Sequence, residues 1–269
     1  MARRLAERVA VGRRIERVRC APDPIVFEGA PPARLRRALV GRRVRAARRH
    51  GKHFWLELDR RPWPCFHFGM AGGLHTPDAP SVRLVSDGRV DRAPDWPPRF
   101  TKLWLTLEDG GELAWTDARR LGRIRLRTDP LREPPIDRLG FDALRDLPPP
   151  ARFLALTRAR AAAVKALLLD QSFAAGVGNW IADEVLYQAR IDPRRPARTL
   201  SVAEVGRLRA ALRSVVTTAI RLGADSDRYP RPWLFHTRWG RAALTRRGER
   251  IRRDVIGGRT TAWVPTRQR

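Results

Sequence analysis

Residues 165–193 read KALLLDQSFAAGVGNWIADEVLYQARIDP, and this stretch says most about the chain. An apolar helix ends in a turn carrying Gly176 and Gly178, and Asn179 then starts a second helix as its capping residue. Glycines permit close backbone approach, while a fresh helix start offers unpaired amides and the positive end of a dipole. Such a corner is suited to gripping a phosphate. The whole chain has 269 residues, with 55 Lys and Arg against 28 Asp and Glu, a formal charge of +27. A field of that sign concentrates polyanions, so the expected phosphate belongs to a nucleic-acid backbone.

Working outward, helices are expected at about 151–158, 160–170, 179–189 and 201–222. The last opens with Ser201 and Glu204 in capping-box spacing. Val205, Leu208, Leu212, Val215, Val216 and Ile220 form its apolar face, and Gly223 closes it. Upstream, prolines cluster over 130–150 and suggest a linker. Before them the chain reads mostly as β structure after a basic amphipathic helix, Arg3 to Ala10. His53 to Leu58, Leu103 to Leu107, Glu112 to Trp115 and Ile124 to Arg127 read as strands, with Asp109-Gly110 as a hairpin turn. The tail returns to β: Arg250 to Ile256 and Thr260 to Val264 bracket Gly257-Gly258-Arg259, a hairpin whose tip carries an arginine.

No stretch approaches the ~20 apolar residues of a membrane helix, and no apolar secretory segment follows Met1. Cys20 and Cys65 sit in unrelated contexts and are expected to be reduced, packed thiols in a cytoplasmic, nucleoid-associated protein. The five histidines and two cysteines show no paired-ligand spacing, so neither a metal nor a cofactor is expected.

The chain resembles the formamidopyrimidine-DNA glycosylase family nearly from end to end. The likeness is carried by VGRRIERV (11–18), RRHGKHFWLELD (48–59), HFGMAGGL (67–74) and TDARRLGRIRL (116–126). It continues through VKALLLDQSFAAGVGNWIADEVLYQARIDPRRPA (164–197) and GGRTTAWVPTRQ (257–268). RPWLFHTRWGR (231–241) and the cysteine-free tail look most like the plant and fungal branch, in which a zincless hairpin replaces a four-cysteine zinc finger. The resemblance implies a multi-domain α+β protein: an N-terminal antiparallel β-sandwich (1–130), a helix-two-turn-helix domain (131–225) and a zincless β-hairpin finger (226–269). It also implies a bifunctional DNA N-glycosylase and AP lyase of base-excision repair. Such an enzyme closes on damaged double-stranded DNA as a monomer, flips out an oxidised base and cuts the strand.

Residue by residue, the resemblance places Lys52 beside the lesion phosphates as a cation supporting strand cleavage. Met70, Arg119 and Leu121 match the set that fills the hole left by the flipped base, with leucine where the family usually has phenylalanine. Asn179 and Arg259 match its phosphate-holding asparagine and finger arginine, Arg259 also being counted with the strand-cleaving machinery. Arg158 and Arg160 are expected on the basic helix leading into Lys165, with Arg160 as a DNA contact. Phe100 stands where many bacterial relatives have a DNA-contacting histidine, and the short stretch 223–232 stands where oxoguanine-specific members carry a longer loop. Each residue also has an ordinary reading: a strand-end lysine, a core methionine, solvated arginines, a helix cap, a plain turn.

One departure concerns the nucleophile. The family uses an N-terminal proline amine to attack the sugar C1′, with a following glutamate handling the proton. This chain begins Met-Ala-Arg-Arg-Leu. Aligning the VGRRI motif puts Arg3-Arg4 inside the family's first helix with about eight upstream residues absent, so the present terminus is expected roughly 12 Å from the family's. Either the true start lies upstream, or the protein binds damaged DNA without catalysis. A generic basic binder of DNA or ribosomal RNA is a third reading, and it leaves Met70 and the Arg119-Arg120 loop unexplained.

Overall fold

A computed structural model describes residues 2–77, 95–240 and 242–269; Met1 and Arg241, the last residue of the RPWLFHTRWGR motif, lie outside them. The chain divides into two compact units, Met1–Arg138 and Leu139–Arg269. No helix among the described residues is long and apolar enough to cross a membrane.

The first unit opens with helix α1 (Ala2–Ala10), strand β1 (Ile15–Cys20) and helix α2 (Pro32–Leu39). Seven strands follow: β2 (Val44–His50), β3 (His53–Leu58), β4 (Trp63–His67), β5 (Gly72–His75), β6 (Thr101–Leu107), β7 (Glu112–Asp117) and β8 (Arg123–Arg127). They build two antiparallel four-stranded sheets, ordered β1-β6-β7-β5 and β2-β3-β4-β8. Period-two patterning explains the buried faces, since alternate residues of a strand point the same way. Leu103, Leu105 and Leu107 of β6 are buried, as are Phe54, Leu56 and Leu58 of β3. They join Trp115, Phe66 and Ile124 in one core, which Ala6 and Ala10 of α1 complete. The sequence missed β1, α2, β2, β4 and β5: arginines or a proline break the apolar pattern of β1, α2, β2 and β4, and β5 is a short strand that opens with two glycines.

The second unit holds β9 (Phe141–Asp142), α3 (Pro150–Arg158), α4 (Val164–Leu169), β10 (Ala174–Ala175), α5 (Asn179–Ala189), α6 (Val202–Arg221), β11 (Arg252–Ile256) and β12 (Arg259–Trp263). The capping box of α6 forms as expected: Glu204 N donates to Ser201 Oγ at 3.2 Å, and Ser201 N to Glu204 Oε2 at 2.7 Å. Val205, Leu208, Leu212 and Val215 are buried against Phe153, Leu167, Leu168, Val185 and Leu186. The β11–β12 hairpin packs on α5 within this unit.

One helix starts later than the sequence suggests. Expected from 160, α4 begins at Val164, and Arg160 lies exposed in the loop before it. The backbone of 162–164 is spent on a pairing with 195–197: Val164 N donates to Arg195 O and Ala197 N to Ala162 O. Arg158 ends α3 and is exposed, but its guanidinium is committed to the protein, Nε and Nη2 donating to Leu200 O at 3.0 and 2.8 Å.

Candidate nucleic-acid interface

In the first unit, three turns meet at one end of the sandwich. Lys52 is exposed in the Gly51-Lys52 turn between β2 and β3. The next residue, His53, pairs across the sheet with His67, their ring centroids 4.7 Å apart. Burial pushes the His53 imidazole down to about 3, and its neighbours His67, Arg125, His50 and Lys52 act in the same direction. Burial also lowers His67, aided by Arg125, Lys52 and Arg123. Neutral His67 accepts the Gly69 amide on Nδ1 at 3.2 Å, so the positive charge at this end comes from lysine and arginine.

That bond fixes the β4–β5 turn, which presents Met70 at 59% exposure. A Cβ on Gly69 would sit 2.6 Å from the Leu121 carbonyl carbon, so the Met70 turn and the β7–β8 loop are in backbone contact. Leu121 is 43% exposed and Arg119 is exposed beside it, carrying no ion pair among the described residues. The loop is closed by buried Asp117, whose Oδ2 accepts the Gly122 amide at 2.6 Å. Phe100, 54% exposed, precedes β6 at the same end, its carbonyl accepting the Asp117 amide at 3.1 Å. Lys52, Met70, Arg119 and Leu121, spread over about 70 residues of sequence, thus share one edge of this unit. An exposed methionine and leucine flanked by cations can enter a gap in a base stack, where a wholly apolar tip would gain nothing from the phosphates.

In the second unit a buried carboxylate ties four segments together. Lys165 of α4 and Asp183 of α5 are fully buried and ion-paired through Asp183 Oδ1. Lys165 Nζ also donates to Asn179 O at 2.9 Å. Asp183 Oδ2 accepts from Arg238 NH2 at 2.6 Å and from Ala262 N of β12 at 3.3 Å. Burial draws the Lys165 ammonium down to about 8, against the pull of Asp183. Sequence reading missed both Asp183 and Arg238. The available signal was a pair of acidic residues, Asp183 and Glu184, set inside an otherwise apolar helical run, Ile181 to Leu186.

Asn179 is not the helix cap. Gly178 occupies that position, and Asn179 is the first helical residue. Its side chain is drawn sideways, with Nδ2 donating to Thr260 O at 2.8 Å, which joins α5 to β12. Beside it stand the helix amides that precede the Ala182 N to Gly178 O bond. Arg259 stands exposed at the start of β12, just past a two-residue turn whose glycines both have positive φ, 61° and 71°. Gly257 is pressed against α4, where an added Cβ would meet that of Ala166 at 2.9 Å. The RPWLFHTRWGR segment supports this arrangement through aromatic packing: the Phe235 ring lies 5.0 Å from Trp180 of α5.

Glu184, next to Asp183, is also buried, accepting from Phe235 N and Gln188 Nε2, both at 2.9 Å. Burial lifts its carboxyl to about 7, well above the 4.5 of an unperturbed glutamate. The folded form therefore holds its proton between those values while the unfolded form has lost it, so its contribution to stability declines as pH rises toward 7. Melting curves at pH 5 and 8 should show the wild type losing more stability than Glu184→Gln. Parallel curves would place the charge elsewhere.

The two cysteines are poor nucleophiles: burial pushes the Cys20 thiol up to about 11 and the Cys65 thiol to about 12.

Family models match both units: the formamidopyrimidine-DNA glycosylase N-terminal domain over residues 1–124 and the formamidopyrimidine-DNA glycosylase H2TH domain over 139–230. A formamidopyrimidine-DNA glycosylase of Arabidopsis thaliana is 39% identical over 271 aligned residues, spanning 100% of this chain and 69% of that protein. One from Thermus thermophilus is 36% identical over 255 residues, spanning 88% and 87%. A crystal structure of the MutM (Fpg) protein from the same species aligns at TM-score 0.78 and 34% identity, covering 99% of this chain and 96% of that one. The Fpg of Lactococcus lactis, solved with DNA containing N7-benzyl-Fapy-dG, shares the fold at TM-score 0.80 and 22% identity, over 100% and 97%. With a sandwich carrying the Lys52–Met70–Leu121 edge and a helical unit carrying Asn179 and its glycine-turned hairpin, the chain belongs to the formamidopyrimidine-DNA glycosylase family.

Proposed function

We propose that the chain works in base-excision repair as a DNA N-glycosylase and AP lyase acting on oxidised bases of the formamidopyrimidine or oxidised-purine type. The observation that carries this reading is the exposed edge where Met70 and Leu121 stand in backbone-linked turns between Arg119 and Lys52. Extruding a nucleotide costs roughly a few kcal/mol, less at a damaged pair, and filling the vacated space offsets part of it. In this reading Met70 and Leu121 occupy the gap, Arg119 bonds the orphaned partner base, and Lys52 sits at the lesion phosphates. Asn179, Arg160 and Arg259 hold the backbone, with 226–269 as the zincless finger. Damaged double-stranded DNA is the partner, engaged by one copy of the chain.

The relatives' names carry the substrate class, and their family chemistry is attack at C1′ by a proline amine next to a glutamate. The test uses borohydride trapping on duplexes holding 8-oxoguanine or an abasic site. It is run with residues 1–269 and with the same chain extended by any in-frame residues its gene encodes upstream. A covalent adduct is expected from the form that carries Pro-Glu, and its absence from every form would overturn the lyase part of the reading. Both forms should prefer an abasic-site duplex to an intact one, and Met70→Ala should lower that preference. Equal affinity for damaged and intact duplex would overturn the reading.

A further inference from the structure

Asp23 lies in the segment between β1 and α2, far in sequence from the edge described above, and is 5% exposed. Its carboxylate is shared by two cations. Lys102 Nζ of β6 approaches Oδ2 at 2.8 Å. Arg120 makes a forked contact, Nε to Oδ2 at 3.0 Å and NH2 to Oδ1 at 3.1 Å. Oδ1 also accepts the Ile25 and Val26 amides, each at 3.2 Å. Burial by itself would raise this carboxyl, but the Lys102 and Arg120 hydrogen bonds and the Val26 amide outweigh it and hold it well below the usual carboxylate range.

Arg120 stands between Arg119 and Leu121, and its backbone is left-handed, φ 56°. A residue with a Cβ adopts that conformation at a cost and keeps it only where its surroundings demand it. Here the demand is the fork to Asp23, with Arg123 NH1 on the Arg120 carbonyl at 3.0 Å as a second fastening. With Arg120 bound to Asp23, its two neighbours on either side are both exposed.

We infer that Asp23 is a positioning residue for lesion recognition: by clamping Arg120 it fixes the loop that presents Arg119 and Leu121, and it withholds Arg120 and Lys102 from indiscriminate binding to phosphates. The inference rests on the reading of Met70, Arg119 and Leu121 as the gap-filling set. It separates two quantities that a purely structural role would move together. Without the carboxylate, two cations become available to any duplex, while the loop loses its anchor.

The experiment measures affinity for an abasic-site duplex and for the matched intact duplex, across a salt series, with wild type, Asp23→Asn, Arg120→Gln, the double variant and Met70→Ala. Arg120→Gln should melt close to wild type because its side chain is 45% exposed, whereas Asp23→Asn should melt lower because Lys102, 16% exposed, loses its counter-ion, so affinities are compared at a temperature where every variant is shown to be folded. Asp23→Asn should bind intact duplex more tightly, with a salt slope steeper by about 0.9 for each additional phosphate neutralised, while its preference for the abasic site falls about fivefold. Arg120→Gln should lose the same preference without the tighter binding to intact duplex, and the double variant should lose no more than either single one. Additive losses, or an unchanged preference in Asp23→Asn while Met70→Ala lowers it, would overturn the role of Asp23 alone. A preference that Met70→Ala leaves unchanged would instead remove the gap-filling reading, and this inference with it.

Discussion

Asp183→Asn should destabilise the second unit by about 3–5 kcal/mol, the usual result of leaving buried charges without their counter-ion. Two cations lose their partner at once, because Lys165 is fully buried and the Arg238 side chain is 4% exposed. The Ala262 amide of β12 loses its charged acceptor as well. Urea unfolding followed by tryptophan fluorescence should show the midpoint of the second unit's transition shifted sharply down. A Lys165→Met, Asp183→Leu, Arg238→Met triple variant should recover much of that loss, since apolar groups replace the ion pairs without stranding a charge. It should not recover duplex affinity, because the Lys165 ammonium that holds the Asn179 carbonyl is gone. A shift below about 1 kcal/mol in Asp183→Asn would mean that water reaches these cations.

Gly257→Val acts on the other half of the same arrangement. A β-branched residue at φ 61° costs about 1–2 kcal/mol, and a Cβ placed 2.9 Å from that of Ala166 adds about 1–3 kcal/mol of overpacking. The hairpin tip relieves the contact by moving away from α4, and Arg259 moves with it. Duplex affinity should fall to that of Arg259→Ala, and in both variants the salt slope should flatten by about 0.9, the equivalent of one phosphate. The Gly257→Val, Arg259→Ala double variant should bind like either single one. If Gly257→Val bound DNA as wild type does, the packing of the tip on α4 would have no bearing on Arg259.

Local elements with clean periodicity were legible. The α5 and α6 segments, the Asp109-Gly110 turn and the tail hairpin stand where apolar spacing and turn residues place them. Strands such as β2, rich in arginine, were not, because only one of their faces is apolar and it carries small residues such as Ala47. At the site, motif matching named the exposed residues and missed those that hold them. Asn179 shows the limit well. A polar residue at a helix start ordinarily caps it, yet this side chain turns to Thr260, 81 residues away. Asp23 and Arg120 are 97 residues apart, and neither segment hints at the other.

The sequence by itself determined the charge of the partner, the family, the run of helices around the glycine turn, and the identity of the exposed tips. These follow from composition and short-range pattern, which act over one or two turns of chain. The tertiary structure alone decided which carboxylates hold those tips, and which amides and guanidinium groups are already committed. The reason is physical. A buried ion pair is stable only when desolvated partners from distant segments arrive together, and their arrival is a property of packing rather than of any neighbouring residues.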